Sequence, residues 1–464
     1  MKTADILIKN ATIVTMNTQR EILQEAGMAI HGDRILKIGK SQDITKEYHA
    51  EKVIDARGKT IFPGMINTHN HFFQVLLKGL GKDRGLLAWL EGSVQKAFRY
   101  IEEEDLYLAT AMGCIELLKT GVTTVLDYQY LHNRPMMNDV VIKAMEDTGI
   151  RGILARGYSD TKQFPEAFRL DYNETEQQFF DDALRLSNLH QHNPNIDIAL
   201  APGIIWSMTE DGYRNLVQVA KQMNTFITMH TIETKEDNEF SIEQYGMPTI
   251  DFFEQVGILS SPFLAVHCAE ITKQEIKKLA LYDVRVSYNA ISNMMMGYKT
   301  LPVEDLIKEG MTVGLATDGA ASNDNQNMLQ VLKISPLWQK AFYQNPAVLS
   351  ASRVLEMATI DGAKCVFKDK ELGSLEEGKK ADFFIYNHLK CGSVPMVDSV
   401  VNLVYCADSS NIETTVVGGK IVYDQGKIMG VEEEQLITRL QKNAVLLWKK
   451  ADLYNTQWGK RIDY

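Results

Sequence analysis

Five side chains of the types that bind metal ions stand at the ends of apolar runs. They are His69, His71, His230, His267 and Asp318. His69 and His71 are two residues apart, and on an extended segment this spacing points both imidazoles to one face. Imidazole and carboxylate ligands together suit zinc or ferrous iron. Glu233, three residues past His230, is close enough to face a bound ligand.

A second HxH pair provides an internal control. His190 and His192 follow a polar helical stretch and precede Asn193-Pro194, which is typical of a solvated loop. An HxH pair alone therefore does not indicate a metal site. The first pair differs because it belongs to a set of five side chains that all fall at strand ends.

The middle of the chain alternates apolar strand-like runs with amphipathic helical stretches. The eight strand candidates are Thr60–Asn67, Val122–Tyr128, Gly152–Tyr158, Ile196–Ile205, Thr225–His230, Phe263–His267, Val284–Asn289 and Thr312–Thr317. Alternation alone equally describes a doubly wound sheet, but no GxGxxG follows the first strand of this segment. Eight such units match a (β/α)₈ barrel, in which all strand carboxyl ends open onto one mouth.

The two chain ends have a different, strand-rich texture. Asp5–Met16 and Met28–Ile38 alternate apolar and polar residues, and similar runs return near the end of the chain. We therefore predict an α/β protein: a distorted barrel with a small β-sandwich domain built from both chain ends. The predicted domains are 1–59 plus 366–430 for the sandwich, 60–365 for the barrel, and 431–464 for a C-terminal helix and tail.

Composition excludes several classes of function. The chain has 464 residues with 49 Lys plus Arg and 60 Asp plus Glu, a formal net charge of −11, and no basic block that would bind nucleic acid. No run approaches the ~20 apolar residues of a membrane-spanning helix. The start of the chain lacks the apolar core of a signal peptide. Five scattered cysteines fit thiols in a reducing cytoplasm, so we expect a cytoplasmic protein.

Several motifs together resemble the amidohydrolase superfamily. Residues 63–71 (PGMINTHNH) look like its PGxxxxHxH signature, and 230–234 (HTIET) resembles the HxxE of the deaminase and chlorohydrolase branch. Residues 292–294 (SNM) and 314–323 (GLATDGAASN) are similar to further segments of that branch. Within it, 70–74 and 86–90 resemble 8-oxoguanine and isoxanthopterin deaminases and hydroxyatrazine ethylaminohydrolase. The chain also resembles S-adenosylhomocysteine deaminase of the same branch.

This resemblance implies a ligand set and a reaction. One divalent metal ion, zinc with ferrous iron as the alternative, would be bound by His69, His71, His230 and Asp318. His267, together with Asp318, would orient or deprotonate a water, and Glu233 would protonate the ring nitrogen next to the attacked carbon. The fourth strand candidate contains no lysine, which favours one metal over two.

Five further residues are candidate substrate contacts. They are Gln74, Trp89, Tyr128, Arg156 and Trp206, which lie at strand ends or in the loops beyond them. An amide can pair with a heterocycle edge, and aromatic rings can stack on it. Ordinary packing is the competing interpretation for each aromatic residue. Arg156 directly follows an apolar run, so its guanidinium must find a polar environment.

The sequence thus predicts a metal-dependent hydrolytic deaminase of an amino-substituted nitrogen heterocycle of purine, pterin or triazine type. The same site could instead remove chloride, an alkylamine or a thiomethyl group. A cyclic-amide hydrolase and a non-catalytic barrel scaffold are the remaining alternatives; the six competent side chains argue against the scaffold. We expect a small-molecule substrate, neither nucleic acid nor membrane as a partner, and a homo-oligomer.

Overall fold

Strands from both ends of the chain form one sheet. The computed structural model describes residues 1–159 and 174–454. The nine strands run in the order β17-β16-β15-β14-β5-β1-β2-β3, and β4 pairs with β1. Their bounds are β1 Lys2–Val14, β2 Ile22–His31, β3 Arg34–Lys40, β4 Tyr48–Asp55, β5 Thr60–Pro63, β14 Phe383–Tyr386, β15 Ile412–Val417, β16 Lys420–Asp424 and β17 Lys427–Ile428.

The middle of the chain forms a second sheet of eight parallel strands, in sequential order from β6 to β13. The bounds are β6 Met65–Asn70, β7 Val122–Gln129, β8 Arg151–Tyr158, β9 Ile196–Pro202, β10 Ile227–Thr231, β11 Phe263–His267, β12 Arg285–Tyr288 and β13 Val313–Leu315. β7 and β8 are buried along their whole length, as expected for strands covered on both faces.

Hydrogen bonds from the first barrel strand reach the last one and the residues that follow it. The Asn67 amide donates to Thr317 Oγ1 (2.7 Å) and accepts from the Thr317 backbone N–H (3.0 Å). The Thr68 hydroxyl donates to the Leu315 carbonyl (3.0 Å). These bonds bring β6 and β13 together, so the eight strands form a nearly closed barrel.

Helices connect and surround the strands. Their bounds are α1 Ser41–Glu47, α2 Leu86–Trp89, α3 Gln95–Phe98, α4 Glu103–Leu118, α5 Met137–Thr148, α6 Glu176–His190, α7 Glu210–Met223, α8 Lys235–Tyr245, α9 Thr249–Val256, α10 Lys273–Leu281, α11 Ala290–Met295, α12 Val303–Lys308, α13 Met328–Tyr343, α14 Ala351–Ala358, α15 Ile360–Cys365, α16 Ser399–Cys406 and α17 Glu433–Lys450. Capping boxes at Thr175 and Thr272 fix where α6 and α10 begin. None of the described helices is both long enough and apolar enough to cross a bilayer.

The predicted strand Thr60–Asn67 is wrong in one respect, because it is two strands in two sheets. β5 pairs with β1 and β14 in the terminal sheet, whereas β6 begins the barrel. Gly64 lies between them, where an added Cβ would stand 2.0 Å from Thr123 Oγ1. Only a residue without a side chain lets the chain pass directly from one sheet to the other at this point.

The predicted combination of a barrel and a β-structure built from both chain ends is confirmed. The two parts meet at a buried ion pair, in which Arg151 at the start of β8 donates through Nε and one terminal nitrogen to Asp382 (both 3.0 Å). Within the terminal sheet, Phe62 of β5 stacks on Phe384 of β14, with ring centroids 5.4 Å apart.

Candidate active site

The five predicted ligand-type side chains lie at the same end of the barrel. His69 is the penultimate residue of β6, and His71 is the residue just beyond that strand. His230 is the penultimate residue of β10. His267 ends β11, and Asp318 lies three residues past β13. Since parallel strands present their carboxyl ends at one mouth, strands far apart in sequence bring these groups together.

The side-chain atoms converge within a few ångströms. Asp318 Oδ1 is 3.4 Å from His69 Nε2 and 3.5 Å from His71 Nε2. His71 Nε2 is 3.3 Å from His230 Nε2. Ligand atoms of His69, His71 and His230 lie within 4.8 Å of one another, and so do those of His69, His267 and Asp318. The structure thus brings the five predicted residues together at one end of the barrel.

Hydrogen bonds on the outer side orient three of the imidazoles. Nδ1 of His71 lies 2.7 Å from the Tyr128 carbonyl, and Nδ1 of His230 lies 2.7 Å from the Gly203 carbonyl. Nδ1 of His267 lies 2.8 Å from Asn293 Oδ1. A carbonyl oxygen can only accept, so each Nδ1 carries the proton and each Nε2 directs its lone pair inward.

Burial keeps three imidazoles of the cluster, those of His69, His71 and His230, in the neutral form. It lowers the pKa of His69, His71 and His230 to about 3 in each case. Burial alone would raise the pKa of Asp318, but the adjacent imidazoles, His69 first among them, hold that pKa well below its usual value. The cluster thus combines neutral nitrogen donors with one ionised carboxylate.

The cluster fits a bound cation. The inward lone pairs of His71 and His230 face each other at 3.3 Å, an arrangement that is repulsive unless a positive charge lies between them. Neither ring nitrogen of His69 has a hydrogen-bond partner among the described residues, although the side chain is fully buried. Buried polar atoms are rarely left unpaired, so a cation is the partner that this donor set suits.

Glu233 stands beside the cluster on a constrained loop. Its Oε1 is 3.7 Å from His267 Nε2, and burial raises the pKa of its carboxyl. Ile232 before it has a φ of 45°, in the left-handed region that β-branched residues rarely adopt. The Glu233 backbone N–H donates to Asp237 Oδ2 (2.7 Å) in the first turn of α8. These contacts hold an acid of raised pKa at the cavity wall.

The loop after β13 folds around its own aspartate. Asp318 has a φ of 61°, and its Oδ1 accepts a hydrogen bond from the Gly319 N–H (2.7 Å). Its Oδ2 accepts from the Ser322 hydroxyl (3.1 Å). The Asp318 N–H donates to the His69 carbonyl (3.1 Å), which attaches the loop to β6. Strain of this kind persists where the surroundings over-determine the conformation.

A cavity of about 1020 Å³, counting the space that opens to solvent, lies over the cluster. One wall is the helical stretch 86–98, in which Leu90–Val94 is π-helical between α2 and α3. π-Helical segments are frequent at functional sites. The cavity is lined by His71, Gln74, Leu86, Trp89, Leu90, Val94, Gln95, Phe98, Tyr130, Ser159, Gly203, Ile204, Trp206, Ser207, His230, Glu233, His267, Ser292, Met296, Tyr298, Asp318 and Ser322.

The predicted substrate contacts divide into two groups. Gln74, Trp89 and Trp206 line the cavity. Tyr128 does not, because its ring packs against His69 and its hydroxyl donates to the Pro202 carbonyl. Arg156 does not line it either.

The charge of Arg156 is neutralised elsewhere. Its Nε donates to Asp182 Oδ2 (2.8 Å), and it also pairs with Glu174. The polar environment expected for this arginine is therefore an ion-pair network with Asp182 and Glu174. The Arg156 side chain does not reach the cavity.

Sequence reasoning missed several cavity residues. Tyr130 lies one residue past β7, as His71 lies past β6, and this position was the available signal. Phe98 and Tyr298 come from a helix and a loop whose side-chain directions depend on tertiary packing. Asn293 lies in the SNM segment that supports the resemblance, but its bond to His267 is apparent only in the structure.

The amidohydrolase family profile matches residues 60–422, most of the chain. The protein belongs to the amidohydrolase family. It is 32% identical over 434 residues to the 5-methylthioadenosine/S-adenosylhomocysteine deaminase of Acetivibrio thermocellus, covering 93% of this chain and 97% of that protein. It is 30% identical over 442 residues to the 5'-deoxyadenosine deaminase of Methanobrevibacter smithii, covering 94% and 97%.

Solved structures of amidohydrolase folds agree with this assignment. A zinc-bound adenosine deaminase from Xanthomonas campestris superposes with a TM-score of 0.89 at 22% identity over 97% of this chain and 99% of that one, which supports the fold. A variant of atrazine chlorohydrolase from Arthrobacter aurescens, complexed with zinc and atraton, gives 0.88 at 25% identity over 95% and 100%. The prediction of a hydrolase acting on carbon–nitrogen bonds agrees with the named deaminases.

Proposed function

We propose that this amidohydrolase is a mononuclear, metal-dependent deaminase that replaces the amino group of a nitrogen heterocycle by oxygen and releases ammonia. The observation that carries the proposal is the convergence of three inward imidazole lone pairs, one ionised carboxylate and one buried acid at the floor of a single cavity.

One divalent ion would be held by His69, His71, His230 and Asp318, whose donors converge as described. When bound, such an ion supplies Lewis acidity that lowers the pKa of a water molecule from about 15.7 toward about 7. Burial in neutral form makes the three imidazoles available as ligands without loss of a proton.

His267 and Asp318 are placed to take a proton from the attacking water. Asn293 accepts the Nδ1 hydrogen of His267, so Nε2 is the ring nitrogen that faces the cavity. The Ser322 and Gly319 hydrogen bonds keep the Asp318 carboxylate in one orientation. These contacts position a base beside the carbon that the water attacks.

Glu233 would act on the other side of the ring. With a raised pKa it can carry a proton and give it to the ring nitrogen adjacent to the attacked carbon, so that negative charge does not accumulate in the ring. A carbon–oxygen bond then forms. The proton taken from the water passes to the exocyclic nitrogen, and the carbon–nitrogen bond breaks to release ammonia. The proton left on the hydroxyl returns to the Glu233 carboxylate as the carbonyl forms.

The cavity favours a flat, uncharged ring. Trp89, Trp206 and Phe98 offer aromatic surfaces on which such a ring can stack. The names of the deaminase relatives add support for an aminopurine, within the predicted group of purines, pterins and triazines.

A different leaving group is the second candidate function. The similarity to atrazine chlorohydrolase favours it, because the same groups could expel chloride, an alkylamine or a thiomethyl group from a ring carbon. The two candidates differ only in which bond to the ring carbon breaks.

We further propose zinc rather than ferrous iron, since zinc is the metal in both solved structures named above. The cysteines of the chain are unpaired thiols, which supports a cytoplasmic protein. The homo-oligomer and the domain bounds 1–59 plus 366–430, 60–365 and 431–464 remain predictions. Light scattering of the purified protein would test the first, and limited proteolysis would test the second.

The test is product analysis by the zinc-loaded enzyme on a panel of adenosine, 5-methylthioadenosine, S-adenosylhomocysteine, guanine, 8-oxoguanine, isoxanthopterin, melamine and atrazine. Ammonia and chloride are measured in the same reactions. Ammonia from one ring system supports the deaminase, chloride from atrazine alone supports the second candidate, and absence of both from every compound would contradict the proposal.

A further inference from the structure

The amide of Gln74 is held in one orientation by the protein itself. Its Oε1 accepts a hydrogen bond from the Ala321 backbone N–H (3.2 Å), and its Nε2 lies 3.0 Å from the hydroxyl oxygen of Tyr130. A backbone N–H can only donate, so the atom facing Ala321 must be the amide oxygen. The amide nitrogen therefore faces Tyr130.

This orientation fixes the role of the Tyr130 hydroxyl. An amide nitrogen can only donate, so the Tyr130 oxygen is the acceptor in this bond, and its own hydrogen has to point elsewhere. Among the described residues, that hydrogen has no acceptor. A tyrosine hydroxyl has an ordinary pKa of about 10, so it keeps its proton near neutral pH.

The Tyr130 side chain lies at the wall of the cavity. Its ring packs edge-on against His71 (centroids 4.8 Å) and Phe73 (4.9 Å), which fixes the ring plane. A hydroxyl hydrogen that faces the cavity without a protein acceptor is free to bond an acceptor atom of a ligand.

We propose that Tyr130 is a specificity-determining residue that donates a hydrogen bond to an acceptor atom of the substrate ring, and that Gln74 is the positioning residue that makes it a donor. The inference rests on the proposed function, because the ligand is the heterocycle that the enzyme deaminates. The acceptor is a ring nitrogen or an oxo group other than the atom that Glu233 protonates.

Gln74 also links this contact to the rest of the site. Ala321 lies three residues past Asp318, and an added Cβ at Gly319 would stand 2.0 Å from Gln74 Oε1, so the Asp318 loop is packed directly on the amide. The Tyr130 hydroxyl and the Asp318 carboxylate are thereby held at a fixed distance from each other.

The experiment compares wild type with Tyr130→Phe, which removes only the hydroxyl. The substrate is the panel compound with the highest kcat/KM, and the inhibitors are its analogues in which one ring nitrogen at a time is replaced by C–H, or one oxo group by hydrogen. We expect unchanged zinc content and a fall in kcat/KM of about 10- to 100-fold. Wild type should bind one analogue more weakly than the others, and Tyr130→Phe should lose that discrimination while keeping any that depends on Glu233.

A second variant reverses the hydrogen bond. In Gln74→Glu both side-chain oxygens are acceptors, so the Tyr130 hydroxyl would donate to residue 74 and be withdrawn from the ring. We expect the same analogue discrimination to disappear, with no further loss of it in Gln74→Glu/Tyr130→Phe. The matched control is Tyr386→Phe, which removes the buried hydroxyl of a terminal-sheet residue that is bonded to Asn402 of α16. This control should keep the analogue discrimination.

The outcomes are distinguishable. Discrimination that persists in Tyr130→Phe with an unchanged kcat/KM would overturn this inference and leave the proposed function intact. A zinc-loaded wild type that releases neither ammonia nor chloride from any panel compound would overturn the proposed function and this inference with it.

Discussion

Glu233 donates the proton in the proposed reaction without binding the metal. Its carboxyl lies beside His267, and Asp237 holds its backbone. Glu233→Gln keeps the shape and removes the acid, so we expect unchanged zinc content and a kcat at least about 100-fold lower. Elemental analysis and steady-state kinetics on the same preparation check both parts. A variant with wild-type turnover would contradict the assigned role.

His69 has no hydrogen-bond partner among the described residues to hold its ring, which fits a role as a ligand rather than a structural residue. We expect His69→Ala to lose most of its zinc after dialysis, because one of four donors is removed. The matched control is His190→Ala/His192→Ala, which removes the other HxH pair from the end of α6 and should keep the metal. Equal zinc in both proteins would argue against the proposed ligand set.

The ligands could be predicted from sequence because their positions follow from strand geometry alone. The i, i+2 spacing and the strand ends are local features, and the barrel brings those ends together. Tyr128 and Arg156 could not be placed by the same reasoning. Where each side chain lies depends on which groups accept the hydrogen bond of the Tyr128 hydroxyl and which carboxylates pair with Arg156. Those carboxylates, Asp182 and Glu174, come from another part of the chain.

At the scale of elements, the loop after β13 is the part most sensitive to volume. Gly319 has no room for a Cβ because Gln74 lies against it. We expect Gly319→Ala to displace the Asp318 loop and lower kcat/KM by at least about tenfold, since misplacement by about 1 Å can cost about 100-fold. The control is Gly39→Ala in β3, where the nearest atom would be at 3.8 Å. Steady-state kinetics of both variants test this prediction. A Gly319→Ala enzyme with wild-type kcat/KM would contradict the described packing of Gly319 against Gln74.

Element boundaries were predictable where apolar runs end in polar residues, and less so where two elements abut. Phe263–His267 matches β11 without change. Thr60–Asn67 did not reveal two strands, since both are apolar and buried and the change of sheet occurs at one glycine. The π-helical turn over the cavity has no signature in the residue pattern of 86–98, because it depends on packing above the cluster.

For the whole molecule, the barrel and the terminal sheet are joined by buried charge. Arg151 and Asp382 are 5% and 4% exposed, so removing one partner leaves the other uncompensated. We expect Asp382→Ala to lower the free energy of unfolding by about 3–5 kcal/mol. Urea denaturation measures this. Turnover per folded molecule should not change, because the pair lies at the amino end of β8, away from the cavity.

The control for this prediction is Glu239→Ala. It removes the carboxylate of an exposed pair with Lys235, whose atoms are 3.9 Å apart. We expect a loss under about 1 kcal/mol. Similar losses in the two variants would mean that the buried pair does not stabilise the junction.

The order of elements along the chain was predictable from the residue pattern. Barrel strands are continuous apolar runs, whereas the strands near the chain ends alternate apolar and polar residues. The connection between the two parts was not. Arg151 and Asp382 are 231 positions apart, and nothing local marks either as paired.

The most direct measurement is a zinc titration. The metal-free protein receives increasing zinc, and ammonia release from the best panel compound is followed together with bound metal. We predict that activity rises in proportion to zinc and levels off at one ion per chain. Full activity without metal, or a plateau only at two ions, would contradict a mononuclear deaminase.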